Sequence, residues 1–263
     1  VRELAEQVRR FETVVGEYRQ DISRVVELKY QEKRDYIEDS FKGQVKDLES
    51  EERKRRLDAI ARFEEFMRRY PGHPLYTPDA LFRLAELHFG KANDEYLRSL
   101  DSYDQRLEDY SAGKTKEPPP EPLQDYSKTI ELFQRLVADF GDYRLIDGAY
   151  YLLGYCLTEM GEDARGRDAF KNLVARAPKS QFVPEALMRI GEYHFDYNEL
   201  PEAIASYIKV LAFKESPYYD RALYKLAWTY YRDDRFDESI DRFVALVEYA
   251  DSQGAAGKEG TAG

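Results

Sequence analysis

The side chains best equipped for chemistry in this chain are three histidines, His73, His88 and His194, and the single Cys156. Imidazole nitrogens and thiolates bind metals and carry protons, and a thiolate beside a base is a nucleophile. Their spacing argues against joint action. His88 and His194 hold the same interior position in two units of the chain. At roughly 10 Å per packed helix pair, they stand too far apart to share a metal. His73 lies in the Pro/Gly turn "YPGHP", and Cys156 precedes Leu157 in an apolar run, where a small core residue is expected. One cysteine excludes an intrachain disulfide framework and a cysteine-rich metal site. The carboxylates of "GEDARGRD" fall in a turn leading into a helix, where solvation is expected. No Ser/His/Asp, paired-carboxylate or Gly-rich phosphate motif stands on a strand–loop frame. The expectation is a chain with no catalytic residue, no metal and no cofactor, and not an enzyme.

The elements behind these residues are helical and repeat. "VPEALMRIGEYHFDYNELPEAIASYIKVLAFKESP", Val183 to Pro217, predicts two antiparallel helices that touch at Gly191 and Ala203, with Ile190, Tyr207 and Val210 filling around them. Leu153/Gly154, Ile190/Gly191 and Leu226/Ala227 recur at intervals of 37 and 36, and Phe170, Tyr207 and Phe243 recur at the same intervals. The small residue of the second helix is Ala203, then Ser239, with Gly166 a weaker match in the unit before. Upstream, "RRLDAIARFEEFMRRYPGHP" predicts a second helix with Ala59, Phe63 and Phe66, stopped by Pro71. Its first helix would come from the N-terminal segment. A further first helix starts near Pro78 with Leu81, Leu84 and Ala85. Helical spacing then runs on through Leu97, Leu100, Tyr103 and Leu107 into "SAGKTKEPPPEP". Pro118–Pro120 favour an extended polyproline conformation there, and the partner helix resumes at Tyr126. This insertion, about 90–125, is either an interaction site on one face or a solvent loop.

Small and large residues at these spacings resemble tetratricopeptide repeats (TPR) from about Leu57 to Ala250. The joints "RRYPGHPLYTPDALFRLAELHF", "VADFGDYRLIDGAYYLLGYCL" and "VARAPKSQFVPEALMRIGEYHF" narrow the resemblance to bacterial cell-envelope TPR proteins. The barrel-assembly lipoprotein and the Tol–Pal coordinator are of this type, and the long insertion departs from both. The resemblance implies an all-α fold: a right-handed TPR superhelix, an α-solenoid, preceded by a long N-terminal helix or coiled-coil hairpin. The expected organisation is an N-terminal helical or coiled-coil segment at 1–56, an array at 57–250, and a flexible tail or linker at 251–263.

The resemblance also places the first helix of each repeat on the concave wall. Its side chains there are Phe82, Glu86 and Phe89; Tyr151, Tyr155 and Glu159; Met188, Glu192, Phe195 and Asp196; and Tyr224, Trp228, Tyr231 and Arg232. Aromatics with interspersed charge suit a docked peptide or helix, and Trp228 is the leading candidate. The same rings could instead pack within the chain. The Lys/Asn clamp by which one TPR subtype grips chaperone tails is absent at Phe82/Glu86, Tyr151/Tyr155, Met188/Glu192 and Tyr224/Trp228.

Before the array, Leu4, Val8, Phe11, Val15, Tyr18, Ile22 and Val25 alternate spacings of four and three, a coiled-coil seam for self-association or an amphipathic face packed on the array. The pattern fails at Lys29 and Glu32 and resumes off-register at Ile37, Phe41, Val45 and Leu48. One long helix, or a hairpin broken near 27–36, would both fit. Residues 1–70 hold 17 basic and 17 acidic side chains, whereas 71–263 hold 23 and 34 and carry the whole net charge of −11. An acidic array disfavours nucleic acid and anionic membranes. No run approaches the length of a membrane span, so direct insertion is not expected. Other proteins are the expected partners. The expected setting is the bacterial periplasm or outer membrane, with the cytoplasm open. A non-enzymatic scaffold is the leading reading. The alternatives are a spacer or oligomerisation module with its groove filled by its own N-terminal helices, and a regulatory TPR segment of a larger enzyme.

Overall fold

The computed structural model describes the backbone of residues 2–259 and the side chains of 23–253. Among the described residues every regular element is a helix: α1 Arg2–Arg69, α2 Tyr76–Ser111, α3 Ser127–Asp139, α4 Ile146–Glu159, α5 Asp163–Arg176, α6 Val183–Asp196, α7 Leu200–Val210, α8 Tyr219–Arg232 and α9 Phe236–Glu259. The chain divides into two units, Val1–Asp58 and Ala59–Gly263. The described residues of the first lie within α1, which runs without a break through 27–36, so the hairpin alternative does not hold. Because α1 is continuous to Arg69, the segment from Leu57 has no separate first helix, and the first complete pair is α2/α3. Apart from Val25, the side chains of the Leu4–Val25 seam, those of Leu4, Val8, Phe11, Val15, Tyr18 and Ile22, lie outside the described residues. At the other end α9 continues to Glu259, over residues for which the sequence predicts a flexible tail.

In the second unit each helix packs on the next in sequence: α2/α3, α4/α5, α6/α7 and α8/α9 form the pairs, and each pair stacks on its neighbour. Small residues set the closeness within a pair. A Cβ on Gly154 would lie 2.8 Å from the Phe170 ring, and one on Gly191 would lie 2.5 Å from the Tyr207 ring. Gly166, a weak match by sequence, is as constrained, since a Cβ there would meet the Gly154 carbonyl at 3.0 Å. In the last pair Ser239 takes this place and donates its hydroxyl to the Ala227 carbonyl at 2.9 Å.

The turns inside the pairs repeat too. Gly161, Asn198 and Asp234 all adopt left-handed backbone, at φ 75°, 60° and 58°, residue types that tolerate it. The amide that follows each reaches back to the helix: Glu162 to Leu157, Glu199 to His194 and Arg235 to Tyr230. This is the glycine-type stop that satisfies the last free carbonyls of a helix. Acidic residues open the helices at Asp79, Asp147, Asp163, Glu185, Glu202 and Asp220, where they complement the helix dipole.

Between pairs there is a second recurrent lock. Tyr143 donates to Asp79 Oδ1 at 2.6 Å, and one repeat later Ser180 donates to Asp147 Oδ2 at 2.7 Å. Each bond ties the first turn of one first helix to the turn before the next, fixing the stacking step. Among the described residues no helix is long and apolar enough to cross a membrane.

Candidate partner-binding surface

The first helices α2, α4, α6 and α8 carry the residues assigned to the concave wall, and the structure divides them into a closed part and an open part. Phe82 and Met188 do not line an open surface. Both are buried, Phe82 edge-on to Phe133 at 5.7 Å and tilted against Tyr143 at 5.9 Å, Met188 in the α6 core. The cause is the joint: the turn that supplies Tyr143 also folds over the first turn of the preceding helix.

Next on α2, Glu86 pairs with Arg83 at 2.6 Å, and Phe89 stacks on Tyr126 at 5.1 Å with Tyr155 edge-on at 6.0 Å. The Tyr126 hydroxyl and the Gln124 amide both donate to Asn93 Oδ1, at 2.6 and 2.7 Å. The returning end of the insertion is thereby pinned to α2 along the Phe82–Glu86–Phe89 row, leaving Leu123 88% exposed. Tyr151 stacks on Phe182 at 4.6 Å and donates to Glu185 at 3.0 Å; burial and then this carboxylate push its phenol pKa up. Tyr218 faces the same carboxylate, and burial followed by Glu185 pushes it up to about 12. Glu159 is exposed.

On α6 the wall turns polar. Glu192 lies 3.6 Å from Arg189 and 3.7 Å from Lys225 of the next first helix. Phe195 is covered by the Arg232 guanidinium, 4.7 Å from its centroid, and Arg232 donates to the Phe195 carbonyl at 3.1 Å. Arg189, Glu192, Asp196 and Lys225 contribute to a cavity of about 340 Å³. On α8 the aromatics are open: Tyr224, Trp228 and Tyr231 are 48%, 42% and 54% exposed. Trp228 sits edge-on to Tyr231 and to Phe243, both at 5.7 Å, so the indole is held firm while one side stays in water. Phe236 extends the patch, edge-on to Tyr231 at 5.5 Å and half exposed.

The chemistry-bearing residues, where they are described, make contacts within the fold. His194 is buried with Nδ1 on the Glu199 carboxylate, joining the end of α6 to the start of α7. His88 Nε2 is buried 3.8 Å from Glu64, and desolvation lowers its pKa, favouring the neutral ring. His73 Nδ1 accepts the backbone N–H groups of Leu75 and Tyr76, both at 3.3 Å. Cys156 is fully buried, and desolvation pushes its thiol up to about 12. Among the described residues there is no grouping of His, Cys, Asp and Glu able to hold a metal ion. The joint acceptors Asp79 and Asp147 were invisible to residue-type reasoning. The signal that could have found them is an acid at one phase with a hydroxyl bearer at the next joint, Tyr143 or Ser180.

The stacked helix pairs of the second unit form an α-solenoid of the tetratricopeptide-repeat fold. A tetratricopeptide-repeat family model matches residues 148–180 and 221–256, the α4/α5 and α8/α9 pairs. Two crystal structures of MamA are similar to the chain. One has 17% identity and a TM-score of 0.50, covering 74% of this chain and 89% of that one. The other has 17% identity and a TM-score of 0.51, covering 74% and 83%. At that identity the likeness concerns the fold. Comparison with curated proteins returns no match.

Proposed function

We propose that this chain is a non-enzymatic protein-interaction scaffold that holds a peptide or helix of a partner protein against α8. The observation that carries the reading is the open aromatic surface of Tyr224, Trp228 and Tyr231, backed by Phe243 and flanked by Arg232. Aromatic rings fixed in place lose little entropy on binding, and Trp, Tyr and Arg dominate interface hot spots. The α2–α4 part of the wall is a poorer receptor, because Phe82, Phe89, Tyr126, Tyr151, Tyr155 and Phe182 already pack on one another. Filling of the wall by the array's own rings is thus favoured at that end, and partner binding at the other. The joint motifs support a place in a bacterial envelope assembly, in the periplasm or at the outer membrane.

Trp228 is the chain's one tryptophan, so its fluorescence reports on this surface alone. An envelope partner recovered by pull-down should shift the emission to the blue and be lost with Tyr224→Ala/Trp228→Ala. Unchanged recovery of every partner with that double variant overturns the α8 assignment.

A further inference from the structure

The first unit carries an uncovered apolar face. Val26, Tyr30, Ile37, Phe41, Val45 and Leu48 are each more than half exposed. At about 100° per residue they fall within an arc of roughly 100°, and they extend along about 33 Å of α1. Val25, the described member of the upstream seam, Leu28 and Tyr36 are also exposed but point well outside this arc. From Ile37 the spacing is four, four and three, an eleven-residue period, which drifts only slightly around a helix and favours a right-handed supercoil. Arg34 fills the gap between Tyr30 and Ile37 and pairs with Glu38 of its own helix at 3.3 Å.

We propose that this stripe docks against the same stripe of a second copy of the chain, side by side and in parallel. The charges along its two edges select that occupant and direction. One edge carries Arg24, Glu27, Glu38, Lys42 and Glu49; the other carries Lys29, Lys33, Asp47, Glu51 and Lys54. A parallel pair sets the first edge of one copy against the second edge of the other, five or six residues further on. Glu27 then meets Lys33, Lys42 meets Asp47 and Glu49 meets Lys54, three pairs of opposite sign against one like pair, Arg24 with Lys29. An antiparallel pair centred on the stripe sets like edges together: Glu38 against its own copy and Glu27 against Glu49 repel, while Lys29 against Asp47 attracts. Like charges across a helix pair disfavour it, and edge charges choose partner and orientation. A single charged residue within an apolar seam, here Arg34, also fixes register at some cost in stability.

Light scattering on the full chain tests the pairing. The expected mass is about twice the 30.9 kDa of one copy. Ile37→Glu/Phe41→Glu should halve it while the array keeps its melting temperature, since both residues are exposed. Gln44→Cys, on the stripe edge, should give a covalent dimer on mild oxidation. The parent chain is its control, because Cys156 is fully buried. In an antiparallel pair the two Gln44→Cys thiols would stand roughly 20 Å apart and fail to bond. Lys33→Glu should weaken association severalfold, and adding Glu27→Lys should restore it. A monomeric parent chain, a threefold mass, a dimer surviving the glutamate pair, or a dimer that Gln44→Cys does not cross-link would each overturn the proposal.

Discussion

Tyr207 offers the sharpest test of how the array is packed. Its ring lies across Gly191, it is wholly buried, and its hydroxyl has no hydrogen-bond partner among the described residues. Burial, and then the nearby Glu192 and Asp196 carboxylates, push its ionisation far up, so the group stays a neutral phenol. An unpaired buried hydroxyl costs about 1–3 kcal/mol of desolvation. Tyr207→Phe removes that cost and leaves a void of one oxygen, worth a few tenths of a kcal/mol at roughly 24 cal/mol per Å³. The flanking repeats carry phenylalanine at the same phase, Phe170 and Phe243, and Phe170 crosses Gly154 as Tyr207 crosses Gly191. A phenyl therefore fits the site. The expected outcome is stabilisation by about 1 kcal/mol, which for a unit of this size raises the melting midpoint by about 2–4 °C. Urea and thermal unfolding followed by circular dichroism measure it. A loss of 1 kcal/mol or more would refute the reasoning, because the hydroxyl would then hold a bond, as to a buried water.

Three further outcomes follow from the same packing. Gly191→Ala should destabilise by about 1 kcal/mol, since overpacking against the Tyr207 ring outweighs the helix-propensity gain, whereas Gly148→Ala, whose Cβ would meet Phe82 at an ordinary 3.5 Å, should stabilise by up to about 1 kcal/mol; unfolding curves that move the same way would contradict the distinction. Cys156 should resist thiol reagents at pH 8 in the folded chain, because it is buried with a thiol pushed up to about 12, and should react once on urea unfolding; fast native labelling would place it elsewhere. The Tyr143 hydrogen bond, with help from Arg144, holds the Asp79 carboxyl below its usual 3.8. A lowered folded-state pKa gives stability that is present above the unfolded value and lost as pH falls through the folded one. The acid limb of the stability profile below about pH 4 should therefore flatten in Asp79→Asn, and an unchanged limb would remove Asp79 from the joint.

The repeat phase was legible because it rests on two independent small–large contacts, Gly154 with Phe170 and Gly191 with Tyr207, that leave no room for other residue types. The left-handed turns at Gly161, Asn198 and Asp234 recur at the same interval and were equally open to reading. The exposure of the first-helix wall was not. Phase places Phe82 and Met188 on the face of Tyr224 and Trp228, but whether a ring on that face meets water depends on what the following joint lays over it. Tyr143 closes over Phe82, and Phe182 and Tyr218 gather around Tyr151 and Glu185. Among the described residues no such joint lies over Tyr224, Trp228 and Tyr231, which are about half exposed. A repeat pattern thus specifies the contacts each unit makes with itself, whereas the surface it offers is set by its neighbour. The same reasoning applies to α1. Its heptads upstream and its eleven-residue stripe downstream are both visible in sequence, and because every described side chain from 23 to 49 is exposed, it is the apolar pattern and not exposure that picks out the face on which a partner must be sought.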